Sequence, residues 1–435
     1  MHTTVFEYGY LTCDKAACGD IHAKLISKAA FDYLKEVSLS ADESDTNKYL
    51  SLTKRYGYEL IQVKNYVGVL FSPTGEHIEV LPKTGRKSID AEQAVLESRE
   101  MLLMMLQHLG SFRYVASNQA DLANKKMPLL EVFISQFLQS VNRLVKRGLK
   151  SDYVSQEDNL YFHKGKLKVS QQIRLNVVNK HKFYVEYDEY LIDRPANRLI
   201  KTALLKLVNY TRLATNQKLL RELQFAFSDV PSCLSVKQDI NYLKLDRGMM
   251  DYHAPIAWAK LILDGFSPLS MKGKDNALSL LFPMESVFES YVASVLRNQL
   301  VDDVELTTQA ASKYLVTHNK QRQFQLKPDL IITKPDRSMI VLDTKWKLLD
   351  LDKSHNDISQ ADLYQMFAYG HKYLEGKGEI FLIYPSHDTF DKPIEYSFDF
   401  SDSLKLWVIP FEVSTEKTHK LKINDSHALR KLMKN

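Results

Sequence analysis

Asp329, Asp343 and Lys345 lie in or beside two short apolar runs of the stretch LKPDLIITKPDRSMIVLDTKWKLLD, residues 326–350. Charged groups out of water are costly unless they are paired or hold a ligand. Asp343 and Lys345 are two apart, and on a strand that spacing turns both side chains to one face, with Thr344 turned to the other. Asp329 follows Pro328 at the start of the first run. A hairpin across KPDRS, residues 334–338, brings Asp329 and Asp343 together at neighbouring strand ends. Two carboxylates converging beside an ammonium make a site for a hard divalent cation. Mg²⁺ suits it, with Mn²⁺ as the alternative, since Mg²⁺ takes one or two carboxylates and keeps several waters. Such a cation polarises a phosphodiester and activates water. A lysine there orients or deprotonates the attacking water, or stabilises developing charge. The plainer reading of the same residues is an internal salt bridge in an edge hairpin.

Two helices must flank these strands. In MESVFESYVASVL the apolar face is Met284, Val287, Phe288, Tyr291, Val292 and Val295. Glu285 and Glu289 border that face one turn apart, and periodicity does not choose which of them leans toward the cation. A later helix, ISQADLYQMFAYGHKYL, offers Gln365 to a metal-bound water or a phosphate, and Tyr364 and Tyr369 to packing. Lys347, one strand step beyond Lys345, is read as a phosphate contact.

Around this core the first ninety residues read as β-rich, with YELIQVKNYVGVLFSPTGEHIEVLPK turning at Ser72–Gly75. A helix follows from an Asp90 cap to Gly110, and a second covers MPLLEVFISQFLQSVNRLVKRGLK to a Gly148 stop with basic residues in its last turn. The middle begins with strands near Leu160–Val169 and Lys182–Tyr187, then turns helical from Pro195. The final segment runs helix, strands, helix, strand. The class is therefore α/β, in the α+β multidomain sense.

The chain has 435 residues, 45% hydrophobic and 26% charged, an ordinary folded composition long enough for two or three domains. No run reaches membrane-span length and the N-terminus lacks a signal-peptide core, so the expected compartment is cytoplasmic. Three cysteines exclude a disulfide framework. Cys13, Cys18 and His22 have loose zinc-like spacing but lack a fourth ligand. From Val141 to Tyr184 there are ten Lys/Arg, including Lys164, Lys166 and Lys168, against three acids, with Tyr153, Tyr161, Phe162, Phe183 and Tyr184 interleaved. Such a stretch tracks phosphates as readily as it forms a solvated basic face. No phosphate-binding G-x-x-x-x-G-K-[ST] loop occurs, and TGRKS at 84–88 lacks its spacing.

The arrangement resembles the PD-(D/E)XK nuclease superfamily, and within it the McrC subunit of McrBC-type modified-cytosine restriction systems. PDL (328–330) with LDTKWK (342–347) is similar to the nuclease core, MESVFESYVA to its acidic helix, and DLYQMFAYGHKY to its Q-x-x-x-Y helix. IEVLPK (78–83), GLKSDYV with NLYFHKGKL (148–167) and YDEYLIDRPANRLIK (187–201) resemble further blocks. Thr344 departs from the small residue common at its position. The resemblance implies a Mg²⁺-dependent DNA endonuclease subunit with Asp329, Asp343 and Glu289 as metal ligands and Lys345 acting at the nucleophile or transition state. It also implies a separate hexameric McrB-like AAA+ GTPase that recognises modified DNA and is stimulated by this chain. The expected division is a β-rich and helical partner-binding region at 1–150 that inserts into the partner ring, a linking region at 151–265 and a nuclease domain at 266–435. A non-catalytic scaffold of an AAA+ ring, or a DNA-repair nuclease working alone, are the competing functions.

Overall fold

The computed structural model describes residues 2–40, 49–72, 75–83, 90–109, 127–263, 279–413, 420–423 and 427–434. The expected turn at Pro73–Thr74, the Gly110 helix stop and the TGRKS stretch fall outside the described residues. The chain divides into two compact units, one of residues 127–280 and one joining 1–126 to 281–435. These boundaries run differently from the expected 1–150, 151–265 and 266–435. The helix Leu129–Arg147 packs against the helices Ala214–Ala226 and His253–Leu263, which places it with the middle of the chain.

In the discontinuous unit, the N-terminal strands are knitted to the C-terminal part. His2–Phe6, His77–Leu81, Tyr66–Phe71 and Ser279–Pro283 form one four-stranded sheet in that order. Lys24–Leu25, Tyr10–Thr12, Tyr58–Val63 and Leu50–Arg55 form a second. The helix Lys28–Ser40, which the β-rich reading of this region missed, has an apolar face with Ala30, Phe31 and Leu34 buried. The helix Ala91–Leu106 starts at the expected Asp90 cap, whose carboxylate accepts from Gln93 N. It packs on His77–Leu81 and on the helix Met284–Gln299. Its Arg99 reaches back to Glu79 with Nε to Oε1 and Nη2 to Oε2 both at 2.7 Å, a buried bidentate pair.

The largest sheet runs Glu305–Thr308, Leu330–Thr333, Met339–Thr344, Gly378–Pro385, Leu404–Glu412, Phe398–Ser401, with Lys420–Leu421 also on Leu404–Glu412. The first three strands are antiparallel, and Met339–Thr344, Gly378–Pro385 and Leu404–Glu412 are parallel to each other. Parallel neighbours need a crossover, and the helix Gln360–Tyr373 supplies it between the first two. Ile331, Val341, Ile380, Leu382, Leu406 and Val408 pack with Met366, Tyr369 and Tyr373 of that helix. The Met284–Gln299 helix buries the expected face, Phe288 and Tyr291 lying edge-on to Phe411 at 6.0 and 5.8 Å. Strands covered by helices read as near-continuous apolar runs, which explains IVL and IFLIY.

The 127–280 unit is mainly helical. Its buried Glu131 accepts from Thr211 Oγ1 at 2.8 Å, Arg212 N at 2.6 Å and Asn216 Nδ2 at 2.8 Å, closing the start of the Ala214–Ala226 helix. A three-stranded sheet pairs Asp152–Leu160 with Phe183–Leu191 and then Lys166–Leu167. The strand expected near Leu160–Val169 is thus mostly earlier, and Val169 opens a short helix to Leu175. Among the described residues no helix is long and apolar enough to cross a membrane.

Candidate active site

Asp329 lies just before the strand Leu330–Thr333, and Asp343 in the strand Met339–Thr344. Leu330 pairs with Leu342, so the two aspartates stand across from one another where the antiparallel pair ends. Asp343 is 1% exposed. Lys345 shares its face, as the two-residue spacing requires, and its Nζ is 2.6 Å from Asp343 Oδ2. Oδ2 is thus held by the lysine ammonium in a short, charge-assisted contact. The expected salt bridge and the expected carboxylate pair are therefore one arrangement.

Asp329 is fixed by the residue between the other two. Thr344 N and Oγ1 both donate to Asp329 Oδ2, at 2.8 and 2.7 Å. Of the two glutamates, Glu289 faces this corner. Burial and the Asp329 charge raise its carboxyl to about 7, against the opposing pull of Gln309 and Lys345. Glu285, one turn earlier, is exposed, and its charge acts on Glu7 and Tyr8 instead. Gln309, which no motif singles out, donates its side-chain amide to Glu289 and its backbone N–H to Asp329 O at 2.9 Å. It does so from a left-handed backbone, φ 51°.

On the other side, Lys345 Nζ donates to Gln365 Oε1 at 3.0 Å, and Gln365 Nε2 donates to Tyr369 Oη at 2.7 Å. Tyr369 Oη in turn donates to Lys327 O at 2.9 Å, two residues before Asp329. Gln365 therefore anchors the lysine, and Tyr369 ties the helix to the strand entry as well as packing. Burial alone would depress the Lys345 ammonium, but the Asp343 charge and contact outweigh it and hold it above the usual lysine range. For Asp343 burial comes first, then the Asp329 charge, and both drive its carboxyl upward against Lys345.

Lys347 does not extend this face. The strand ends at Thr344, a tight turn joins Lys347 N to Lys345 O at 3.1 Å, and the Lys347 ammonium is taken by Asp357. In the other unit Lys168 bridges Glu157 and Glu186 at 2.9 and 3.1 Å, and Lys164 lies over the Tyr187 ring at 3.9 Å. Lys166 is exposed on the short strand beside them. Part of that basic stretch is thus already neutralised locally.

Among the described residues no three His, Cys, Asp or Glu side chains close around one point, and Cys13, Cys18 and His22 are no exception. A closed zinc cage does not fit. Asp329 and Asp343 at paired strand ends, with Glu289 facing them, are an all-oxygen donor set that fits a hard cation keeping most of its water.

A family model described as McrBC 5-methylcytosine restriction system component matches residues 61–385, which contains this corner. The type IV methyl-directed restriction enzyme EcoKMcrBC of Escherichia coli (strain K12) is 22% identical over 324 residues, covering 68% of this chain and 88% of the relative. A chain in the refined half-complex from the tetradecameric assembly of Thermococcus gammatolerans McrB AAA+ hexamers with bound McrC is similar with a TM-score of 0.67 and 22% identity, over 97% of each chain. A chain of the Thermococcus gammatolerans McrBC complex gives 0.51 and 23%, over 68% of this chain and 87% of that one. The chain belongs to the McrBC 5-methylcytosine restriction system component family.

Proposed function

We propose that the chain is the DNA-cleaving subunit of a modification-dependent restriction system, hydrolysing phosphodiesters with Mg²⁺ and acting with, and stimulating, a McrB-like AAA+ GTPase hexamer. The observation that carries this reading is the corner itself: Asp329 and Asp343 at paired strand ends, Lys345 on the Asp343 face, and Glu289 facing them. Burial and the Asp329 charge drive the Asp343 and Glu289 carboxyls upward, and a bound cation reverses that cost. The assembly of the Thermococcus gammatolerans relative supports the ring partner.

Asp329 and Asp343 would hold the cation, with Glu289 reaching it directly or through water. When bound, the cation supplies a Lewis acid for the phosphate and an acidified water. Lys345 sits between Asp343 and Gln365, which leaves one ammonium proton to donate to the attacking water or a non-bridging phosphate oxygen and oppose the charge that builds there. Asp329, with Oδ2 occupied by Thr344, presents Oδ1.

Plasmid DNA carrying 5-methylcytosine, incubated with the AAA+ subunit, its nucleotide and Mg²⁺, is cut by the wild-type chain and left intact by Lys345→Ala. Cleavage by the chain alone would instead identify a nuclease working without a motor. A wild-type chain that binds no divalent cation in titration, while still engaging the ring, would identify a scaffold.

A further inference from the structure

We infer that the hairpin of strands Lys313–His318 and Gln321–Leu326 is an arm that grips duplex DNA beside the carboxylate corner, an inference resting on the chain being a DNA-cleaving subunit. The two strands form a sheet of their own. Between Glu305 and Asp329 the sequence has no Asp or Glu, yet carries Lys313, Lys320, Arg322, Lys327 and His318. Those four Lys/Arg are exposed, and no ion pair involves them among the described residues. Phe324 stands 70% exposed between them.

The backbone argues that this surface is built for contact. His318 pairs with Gln321, so Asn319 and Lys320 form a two-residue turn, both left-handed with φ 47° and 63°. Asn-Gly is the sequence such turns favour, and here lysine occupies the glycine position at the tip. Phe324 also has a left-handed backbone, φ 58°, unusual for a bulky residue.

The arm is also fixed to the chemistry. Tyr373 Oη lies 2.9 Å from the carbonyl oxygens of both Ala310 and Leu326, one on each strand's flank. Tyr369 Oη donates to Lys327 O from the same helix whose Gln365 holds Lys345. A ligand gripped by the hairpin is thus positioned relative to Asp329 and Lys345. A two-stranded ribbon fits the DNA major groove, and unpaired Lys and Arg neutralise phosphates. A protein partner suits the arm less, since lysine is depleted in protein interfaces and no acid is present to pair across one.

The test uses the full-length chain and a labelled duplex containing 5-methylcytosine, with divalent cations chelated so that no strand is cut. Lys320→Gln/Arg322→Gln weakens binding about tenfold and lowers the slope of log affinity against log salt by roughly 1.8, as expected for two lost phosphate contacts. Lys320→Glu/Arg322→Glu weakens it further, while Phe324→Ala weakens it with the slope unchanged. Melting temperatures stay at the wild-type value, because all three side chains are exposed. Wild-type affinity and slope in both charge variants overturn the proposal, as does a loss confined to association with the AAA+ subunit. Cleavage of methylated plasmid with the partner is run in parallel. If wild type cuts while the arm variants bind normally, the arm assignment fails alone. If wild type neither binds nor cuts, the nuclease reading beneath it fails.

Discussion

The hydroxyl and the backbone amide of Thr344 converge on one oxygen of Asp329, Oδ2, at 2.7 and 2.8 Å. Thr344 is buried and packed on the sheet face opposite Asp343, so it acts as a brace behind the carboxylate pair. Removing one hydrogen bond to a charged group costs roughly 1.5–3 kcal/mol. Thr344→Val should therefore weaken Mn²⁺ binding, read by electron paramagnetic resonance titration, by about tenfold or more. Thr344→Ser restores the hydroxyl and should restore the affinity. Equal Mn²⁺ affinity in Thr344→Val and wild type would contradict the brace.

Glu289 and Glu285 sit one helical turn apart and differ in what they face. Glu289→Gln should lower cleavage by about a hundredfold, the size typical of a lost acid–base or ligand group. Glu285→Gln should cut at the wild-type rate. Single-turnover rates of the two variants separate them, and a reversed ranking would show that the helix has been assigned the wrong face.

Glu7 is buried and accepts from Trp346 Nε1 at 2.7 Å and Lys83 N at 2.9 Å, both on Oε1. Its other oxygen has no partner among the described residues, and burial raises the carboxyl from 4.5 to about 7. Between those values the folded chain keeps a proton that the unfolded chain has released. Stability from this group is thus full below 4.5 and falls as pH rises toward 7. At about 1.4 kcal/mol per pH step, the loss is on the order of 3 kcal/mol. Glu7→Gln keeps both hydrogen bonds and should remove that slope. Urea melts of the two chains across this window should diverge as pH rises, the variant becoming the more stable.

Arg99 and Glu79 form the buried bidentate pair that fastens the Ala91–Leu106 helix to the first sheet, with His2 a further 3.4 Å contact to Glu79. Burial would raise Glu79, but Arg99 and His2 outweigh it and lower the carboxyl to about 2. Its stabilisation is present above the ordinary carboxylate range and is lost as pH falls toward 2. Arg99→Ala strands the carboxylate and should cost about 3–5 kcal/mol, seen as a large drop in melting temperature at neutral pH. A shift no larger than that of an exposed arginine variant would argue that the pair contributes little.

Much of this site was legible because strand alternation is strict. Asp343 and Lys345 could only share a face, and the KPDRS turn left the two apolar runs little choice but to pair with Asp329 at the end. The apolar stripe of Met284–Gln299 was equally plain, yet periodicity placed Glu285 and Glu289 alike at its border; the family resemblance favoured Glu289, and the packed helix turns it to the corner. Gln309 was invisible because its role depends on a left-handed backbone and on a partner twenty residues away. For Lys347, nothing in TKWK shows that the strand stops at Thr344 and turns its ammonium toward Asp357. The discontinuous unit was the largest omission: pairing of Ser279–Pro283 with Tyr66–Phe71 is a long-range contact with no local signal.

The carboxylate corner is probed most directly by the cleavage rate of Asp343→Asn on 5-methylcytosine plasmid with the AAA+ subunit, its nucleotide and Mg²⁺. The carboxamide keeps the shape of a 1% exposed side chain and removes one charge from the corner. Cutting should be abolished while association with the ring is unchanged. Cleavage at the wild-type rate would contradict this.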